Sequence, residues 1–300
     1  MKRAVSISLG SSSRDHKGTI ELGGETIEVQ RIGTNGDTKR MQELYRDLDG
    51  KVDAFGAGGF LFGFHVEDRF YELRTVKKLV KYVEKTPIVD GNGVKDTIER
   101  HSLQSVWPEI QDIFENKPKT ALVTSAVDRY GMAKSVAEAG FDMVCGDFYF
   151  ALGIPIKVRT LKGVQRLARM IMPLISFFPL SWLYPLGEKQ DKRTPKHAKL
   201  FKNATLIAGD FLYTKKYSPD DMKGKIILTN TTTQEDRDDL FSRGVEAIIT
   251  TTPEVGGRSF GTNVLEAAIV AHKGLGRALS PEEMRVEVEK LGLKPQVHFP

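Results

Sequence analysis

The chain is poor in the residues that build covalent or metal-held frameworks. Among 300 residues there is one cysteine, Cys145, and the six histidines are scattered, with no pair at H-x-x-x-H spacing. An intrachain disulfide is therefore impossible, zinc modules are excluded and no metal is expected. Cys145 lies inside an apolar run with no histidine near it in sequence, which fits an inert buried thiol better than a nucleophile. Walker A and nucleophile-elbow spacings are missing, and so is any recognition-helix or aromatic-basic signature, so nucleic acid is not an expected partner. The start, Met1-Lys2-Arg3-Ala4-Val5-Ser6, runs into an alternating pattern without a signal-peptide core, and with the lone cysteine this leads to an expected cytoplasmic location. Long hydrophobic continuity is also lacking. The most apolar stretch, Met170 to Gly187, is broken by Pro173, Pro179 and Pro185, whereas a membrane span needs about 20 residues in unbroken helix.

What is present is the composition of an ordinary globular protein, 40% hydrophobic and 28% charged, which excludes intrinsic disorder. The length exceeds the usual domain of about 100 to 200 residues, so two lobes are expected. Residues 1–116 read as a mixed α/β lobe. Arg3 to Gly10 alternates as a strand, Gly23-Gly24 and Glu67-Asp68 mark hairpins, and Met41, Leu44, Tyr45 and Leu48 have helical spacing. Leu73 to Val83 has the pattern of a basic amphipathic helix, and another helical stretch from about Val94 is expected to end before Trp107-Pro108. After a polar, proline-bearing stretch at 115–119, residues 117–300 alternate strand and helix. Strands are expected at Thr120 to Ala126, Met143 to Phe150, Leu206 to Gly209, Lys225 to Asn230 and Ala247 to Thr252. Helices are expected at Tyr130 to Ala139, Glu235 to Ser242 and Val264 to His272. That rhythm predicts a doubly wound, mostly parallel, Rossmann-like sheet with helices on both faces.

Ligands of such sheets bind beyond the carboxyl ends of the strands, so the residues there are the candidates. Gly256-Gly257-Arg258-Ser259-Phe260-Gly261-Thr262-Asn263 follows a strand tail containing Thr251 and opens a helix. Free backbone N–H groups, Arg258, Ser259, Gly261 and Thr262 would gather an anion there. Thr229 and Asn230 begin a second hydroxyl-rich loop, and Ser125 with Arg129 lies in a third; helix caps and salt bridges account for the same residues equally simply. Two segments, Met143 to Tyr149 and Leu206 to Leu212, each end a hydrophobic run in Gly-Asp-Phe. Turn chemistry explains the repeat; alternatively Asp147 and Asp210 face one cleft and shuttle a proton. The partner expected on these grounds is a small anionic metabolite.

Thr34-Asn35-Gly36-Asp37 precedes a helix, and Gly56-Ala57-Gly58-Gly59 follows a strand from Val52. These segments resemble the Asn-Thr-Asp and G-x-G-G motifs of the shikimate/quinate dehydrogenase family, and the chain as a whole is similar to bacterial proteins labelled quinate 5-dehydrogenase. The resemblance implies an NAD- or NADP-dependent oxidoreductase of a polyhydroxy acid such as quinate or shikimate. Asp37 would be catalytic, and Gly56, Gly58 and Gly59 would hold the cofactor. From the residues alone, tight packing at a strand crossing is the other reading of these glycines. A second resemblance, of Gly261-Thr262-Asn263-Val264-Leu265-Glu266-Ala267 to the G-T-x-x-x-E-A helix start of two-lobed glycosyltransferases, implies a transferase in which Glu266 holds a ribose. A non-catalytic anion-binding module is the third alternative.

The net charge of +5 is unevenly placed. Residues 157–202 hold eleven Lys or Arg against Glu188 and Asp191, a local +9, leaving −4 elsewhere. These basic residues bracket the proline-broken apolar run. One reading is peripheral contact with an anionic membrane; the favoured one is an insert buried against the cleft or in a homodimer.

Overall fold

The computed structural model describes residues 1–151, 153–178, 193–252, 254–255 and 258–300, with the side chains of 151, 254, 255, 258 and 259 left aside. The second half of the apolar run, together with Glu188, Asp191, Gly256 and Gly257, lies outside the described residues.

The first sheet contains β1 (Arg3–Ser8), β2 (His16–Leu22), β3 (Glu25–Gly33), β4 (Ala54–Gly58) and, after the hairpin β5 (Gly63–Val66) and β6 (Arg69–Glu72), β7 (Ile88–Val89). The order is β2-β3-β1-β4-β7, with β3, β1, β4 and β7 parallel and β2 antiparallel. Both expected hairpins form. Gly23 and Gly24 turn the first with φ of 56° and 83°, and Glu67 turns the second at φ 56°. The second sheet is built from β8 (Thr120–Val123), β9 (Asp142–Cys145), β10 (Leu206–Ala208), β11 (Ile226–Thr229) and β12 (Ala247–Thr250). The short ladder of β13 (Glu254–Val255) with β14 (Arg258–Ser259) follows, and β15 (Gln296–His298) closes the edge antiparallel to β12. Its order, β15-β12-β11-β10-β8-β9, makes five neighbouring strands parallel. Because β9 lies on one side of β8 and β10 to β12 on the other, the winding reverses between β8 and β10, as a doubly wound sheet requires.

Helices follow the hydrophobic pattern. In the first lobe α1 (Thr38–Leu48) buries Met41 and Tyr45 against one face of the first sheet. Then come α2 (Asn92–Glu99), α3 (Ser102–Phe114), α4 (Tyr130–Glu138), α5 (Asp147–Ala151) and α6 (Leu161–Ile175). The remaining helices are α7 (Ala198–Asn203), α8 (Phe211–Tyr217), α9 (Gln234–Ser242), α10 (Thr262–Lys273) and α11 (Pro281–Lys290). Buried side chains of α3, α4 and α6 fill one face of the second sheet, and those of α7, α8 and α9 the other.

Four expectations require correction. The boundary near residue 116 does not divide the cores. Leu103, Val106, Ile110 and Phe114 of α3 pack with the second sheet, while α10 and α11, from the far end of the chain, cover the free face of the first. Pro108 does not end its helix but lies inside α3. The apolar stripe of α3, with Trp107 stacked on Phe114 at 5.5 Å, outweighs the loss of one N–H. The stretch Leu73 to Val83 forms only a 3₁₀ helix, Arg74–Val80. The strand expected from Met143 ends at Cys145, because Asp147 starts a helix at once.

Candidate functional site

The reversal of winding opens a crevice beyond the carboxyl ends of β8 and β10, and a set of charged groups meets there. The loop after β8 carries Ser125, Asp128 and Arg129. Arg129 is buried and grips three carboxylates: Glu99 at 2.7 Å, Asp128 at 3.3 Å and Asp210, which follows β10. Lys95 of α2 pairs with Asp128 at 3.1 Å. Burial opposes the charge on Arg129, yet Glu99, Asp210 and Asp128 together raise its pKa. Burial likewise works on Asp128, but Lys95 and Arg129 prevail and lower it. For Glu99 burial wins, and its pKa is raised despite Arg129 and Lys95. One oxygen of that carboxylate, Oε2, takes no hydrogen bond from the described residues. Beside it is a cavity of about 10 Å³, room for a single water, lined by His65, Asn92, Lys95, Asp96, Glu99 and Asp128.

The two Gly-Asp-Phe aspartates both reach this crevice. Asp147 accepts the N–H groups of Ala126 at 3.1 Å and Val127 at 2.9 Å. Its sunken position pushes its pKa up to about 6, with Asp128 adding to the rise, against the pull of those N–H groups. Asp210 caps α8 by accepting from Leu212 N–H at 3.0 Å, and it also receives Asn230 Nδ2 at 3.3 Å. Tyr213, on α8, has its pKa raised by burial and then by Asp128, Asp210 and Asp147, so all three carboxylates are its neighbours. Ser125 Oγ accepts from the Asp210 N–H at 3.4 Å. Beyond α5 lies a wider hollow of about 310 Å³ lined by Tyr149, Phe150, Gly153, Lys196, His197 and Tyr217. Within it the Phe150 ring stacks on Tyr217 at 5.3 Å.

Other candidates are placed elsewhere. The Thr229 hydroxyl donates to Gly209 O, and Thr251 is buried with its N–H on Thr229 O. Both hold the sheet together rather than face the crevice. Asn230 divides its amide between Asp210, Thr229 and the Phe211 N–H, so it fixes the start of α8. The backbone of Arg258 and Ser259 lies in β14, and their side chains are outside the described residues. Gly261 and Thr262 open α10 against the first sheet; Thr262 Oγ1 and Asn263 N lie 2.6 Å from where a Cβ on Gly91 would stand. Cys145 is buried, and burial raises its thiol pKa, as expected of an inert residue. No group of three or more His, Cys, Asp or Glu suited to a metal occurs among the described residues.

Two implied sites do not have the geometry assigned to them. A pyrophosphate-binding turn must open a helix, but Gly56 and Gly58 lie within β4, and the chain then runs from Gly59 to the hairpin strand β5. A Cβ on Gly56 would stand 2.7 Å from Asn263 O, and one on Gly58 2.6 Å from the Ser8 Cβ. Close packing explains these glycines, and they do not fit a dinucleotide. Asp37 caps α1, accepting from Lys39 N–H at 2.9 Å and Arg40 N–H at 3.0 Å. Nor is Glu266 free to hold a ribose: it is buried and accepts the N–H groups of Gly93 at 2.9 Å and Val94 at 3.4 Å. Lys95, Glu99, Asp128 and Tyr213 were missed by sequence reasoning. Asp128 alone had a signal, its place beside Arg129 in a strand-end loop.

A two-lobed α/β protein with a polar crevice at the switch point of its second sheet is the class these features define. The chain belongs to the family described as Domain of unknown function (DUF8754), which matches residues 93–300, and residues 3–90 match DUF8753. No curated protein matches it in sequence. Among solved structures it is similar to the hetero-hexameric glutamate dehydrogenase of Thermus thermophilus (10% identity, 98% of this chain and 77% of that one, TM-score 0.42). It is also similar to the malic enzyme of Entamoeba histolytica (8%, 94% and 60%, TM-score 0.41) and a galactofuranose binding protein (13%, 97% and 99%, TM-score 0.36). The chain spans less than two thirds of that malic enzyme and 65% of another. Likenesses this slight leave the chain's own strand order to define its fold.

Proposed function

We propose that the chain binds, and acts on, a small polyhydroxylated metabolite in the crevice between β8 and β10. The observation that carries this reading is the convergence of Asp128, Arg129, Asp147, Asp210 and Tyr213 from separate strand-end segments, faced by Lys95 and Glu99 of α2. Carboxylates and a guanidinium held by one another present fixed acceptors and donors to vicinal hydroxyls. The balance of charge bears on ligand class. Lys95 and Arg129 stand against Glu99, Asp128, Asp147 and Asp210, and the guanidinium is already engaged three times. A hydroxyl-rich ligand therefore suits the crevice better than a compact anion, and any acidic end would fit nearer Lys196 in the adjoining hollow. Asp147, with a pKa near 6, is the group placed to move a proton.

Oxidation of a polyhydroxy acid such as quinate or shikimate with NAD or NADP is the specific activity to assay first, and it rests on the sequence resemblance. A non-catalytic binding module is the second reading, favoured by the fact that Asp147 and Asp210 both already hold backbone N–H groups. Calorimetric titration with quinate, shikimate and neutral hexoses, alongside NAD(P) reduction, tests both. We expect saturable binding of at least one polyol, weakened at least about ten-fold by Asp128→Asn, as loss of a charged hydrogen-bond acceptor implies. Binding without turnover selects the module; no binding of any polyol overturns the reading.

A further inference from the structure

The amphipathic helix α6 divides its side chains in a way its packing does not require. Val164, Leu167, Ala168 and Met172 are buried against the second sheet's core. The opposite face is outside. Lys162, Arg166 and Arg169 are exposed along its first half, and the apolar side chains Met170 (66% exposed), Leu174 (65%) and, one turn beyond, Phe177 (61%) continue the same line. The spacing 162, 166, 169/170, 173/174, 177 keeps them on one stripe. Solvent-facing Met, Leu and Phe in contiguity are uncommon on a surface with no partner.

A second segment, distant in sequence, completes the patch. The Arg74 N–H donates to Ser176 O at 3.2 Å, and its guanidinium lies 4.8 Å from the centre of the Phe177 ring. Lys77 and Lys78 follow on the same 3₁₀ helix, Lys77 paired with Glu72 at 3.0 Å. The apolar tip is thus flanked by cations on two sides. Residues 153–178 contain no acidic residue, and Lys157, Lys162, Arg166 and Arg169 form no ion pair among the described residues. No helix is long and apolar enough, among the described residues, to cross a membrane.

We infer that this face docks on an anionic lipid surface, with the cations among the headgroups and Met170, Leu174 and Phe177 entering the boundary of the acyl chains. Charge complementarity selects this occupant. A second copy of the chain meeting the patch through a two-fold axis would bring like charges together, whereas anionic headgroups neutralise them and the exposed apolar side chains gain burial.

Flotation of the full chain with vesicles of phosphatidylcholine alone, or of phosphatidylcholine with phosphatidylserine, tests this. Flotation with the anionic vesicles at low salt, and release at high salt, is the expected result. Arg166→Gln with Arg169→Gln should lower partitioning about 30-fold, since each cation near an anionic surface is worth about a five-fold gain. Leu174→Ser with Phe177→Ser should lower it at least about ten-fold while leaving the unfolding midpoint unchanged, because both side chains are exposed. Absence of flotation at low salt, or flotation indifferent to both double variants, overturns the inference. So does a concentration-dependent dimer, seen by light scattering, that Leu174→Ser abolishes, which would assign the patch to a second copy.

Discussion

Glu266 shows how a side chain can carry a familiar motif and be put to another use. It stands where the G-T-x-x-x-E-A pattern places a ribose ligand, yet its carboxyl is sealed between α10 and the start of α2. Burial and the neighbouring Asp90 push its pKa up to about 8, against backbone N–H groups that draw it down. Asp90 is raised by burial in the same way. The sign follows directly: the folded protein keeps a proton on Glu266 that the unfolded chain releases near 4.5, so stability is full below that value. It declines as pH rises, until the folded group itself titrates near 8. Denaturant midpoints measured across this window should fall, and Glu266→Gln should flatten the decline. A pH-independent midpoint would contradict the assignment. The glycines of β4 make the complementary point. G-x-G-G was readable as a cofactor turn only because sequence does not reveal what crosses a strand. Gly56→Ala should lower unfolding stability by about 1–3 kcal/mol through overpacking against Asn263, which chemical denaturation would measure. Unchanged stability together with lost NAD affinity would restore the dinucleotide reading.

At the level of elements, the strands of the second sheet were legible because they are short apolar runs ended by Gly, Asp or Thr, and their order follows from strand-helix alternation. Less visible were elements whose pattern competes with a local breaker. Pro108 predicted a helix end, but the stripe Leu103, Val106, Ile110 and Phe114 carries α3 through it. The proline itself is exposed, so replacing it forfeits little packing. Pro108→Ala should therefore return an N–H to the Gln104 carbonyl and stabilise the protein by about 1–2 kcal/mol. A thermal midpoint that falls would mean the ring is needed where it stands. The crevice was half legible for a related reason. Aspartates at strand ends can be read from Gly-Asp-Phe, whereas Lys95 and Glu99 come from a helix whose approach to β8 no local pattern records.

For the whole molecule, the two lobes are interlocked rather than strung in series. Matches to two families part the chain near residue 91, but α10 and α11, near its far end, supply a covering layer of the first sheet. Asn263 Nδ2 donates to Ser6 Oγ at 2.6 Å, and the Lys2 ammonium reaches His272 O at 2.6 Å. A fragment of residues 1–90 should accordingly show no cooperative unfolding by circular dichroism. Co-expression with residues 93–300 should restore it, and a fragment that unfolds cooperatively alone would refute the interdependence. This long-range return is the part of the fold that composition and periodicity could not disclose, since α10 reads as one more helix of the second lobe.

The covering of β1 and β4 by α10 also bears on the order in which the chain can mature during synthesis. The first sheet leaves the ribosome early but has one apolar face open until residues 262–290 have emerged, by which time the strands from β8 to β12 can already have paired. The lobe made first is then completed last, and during that interval its bare face is the surface most in need of a chaperone.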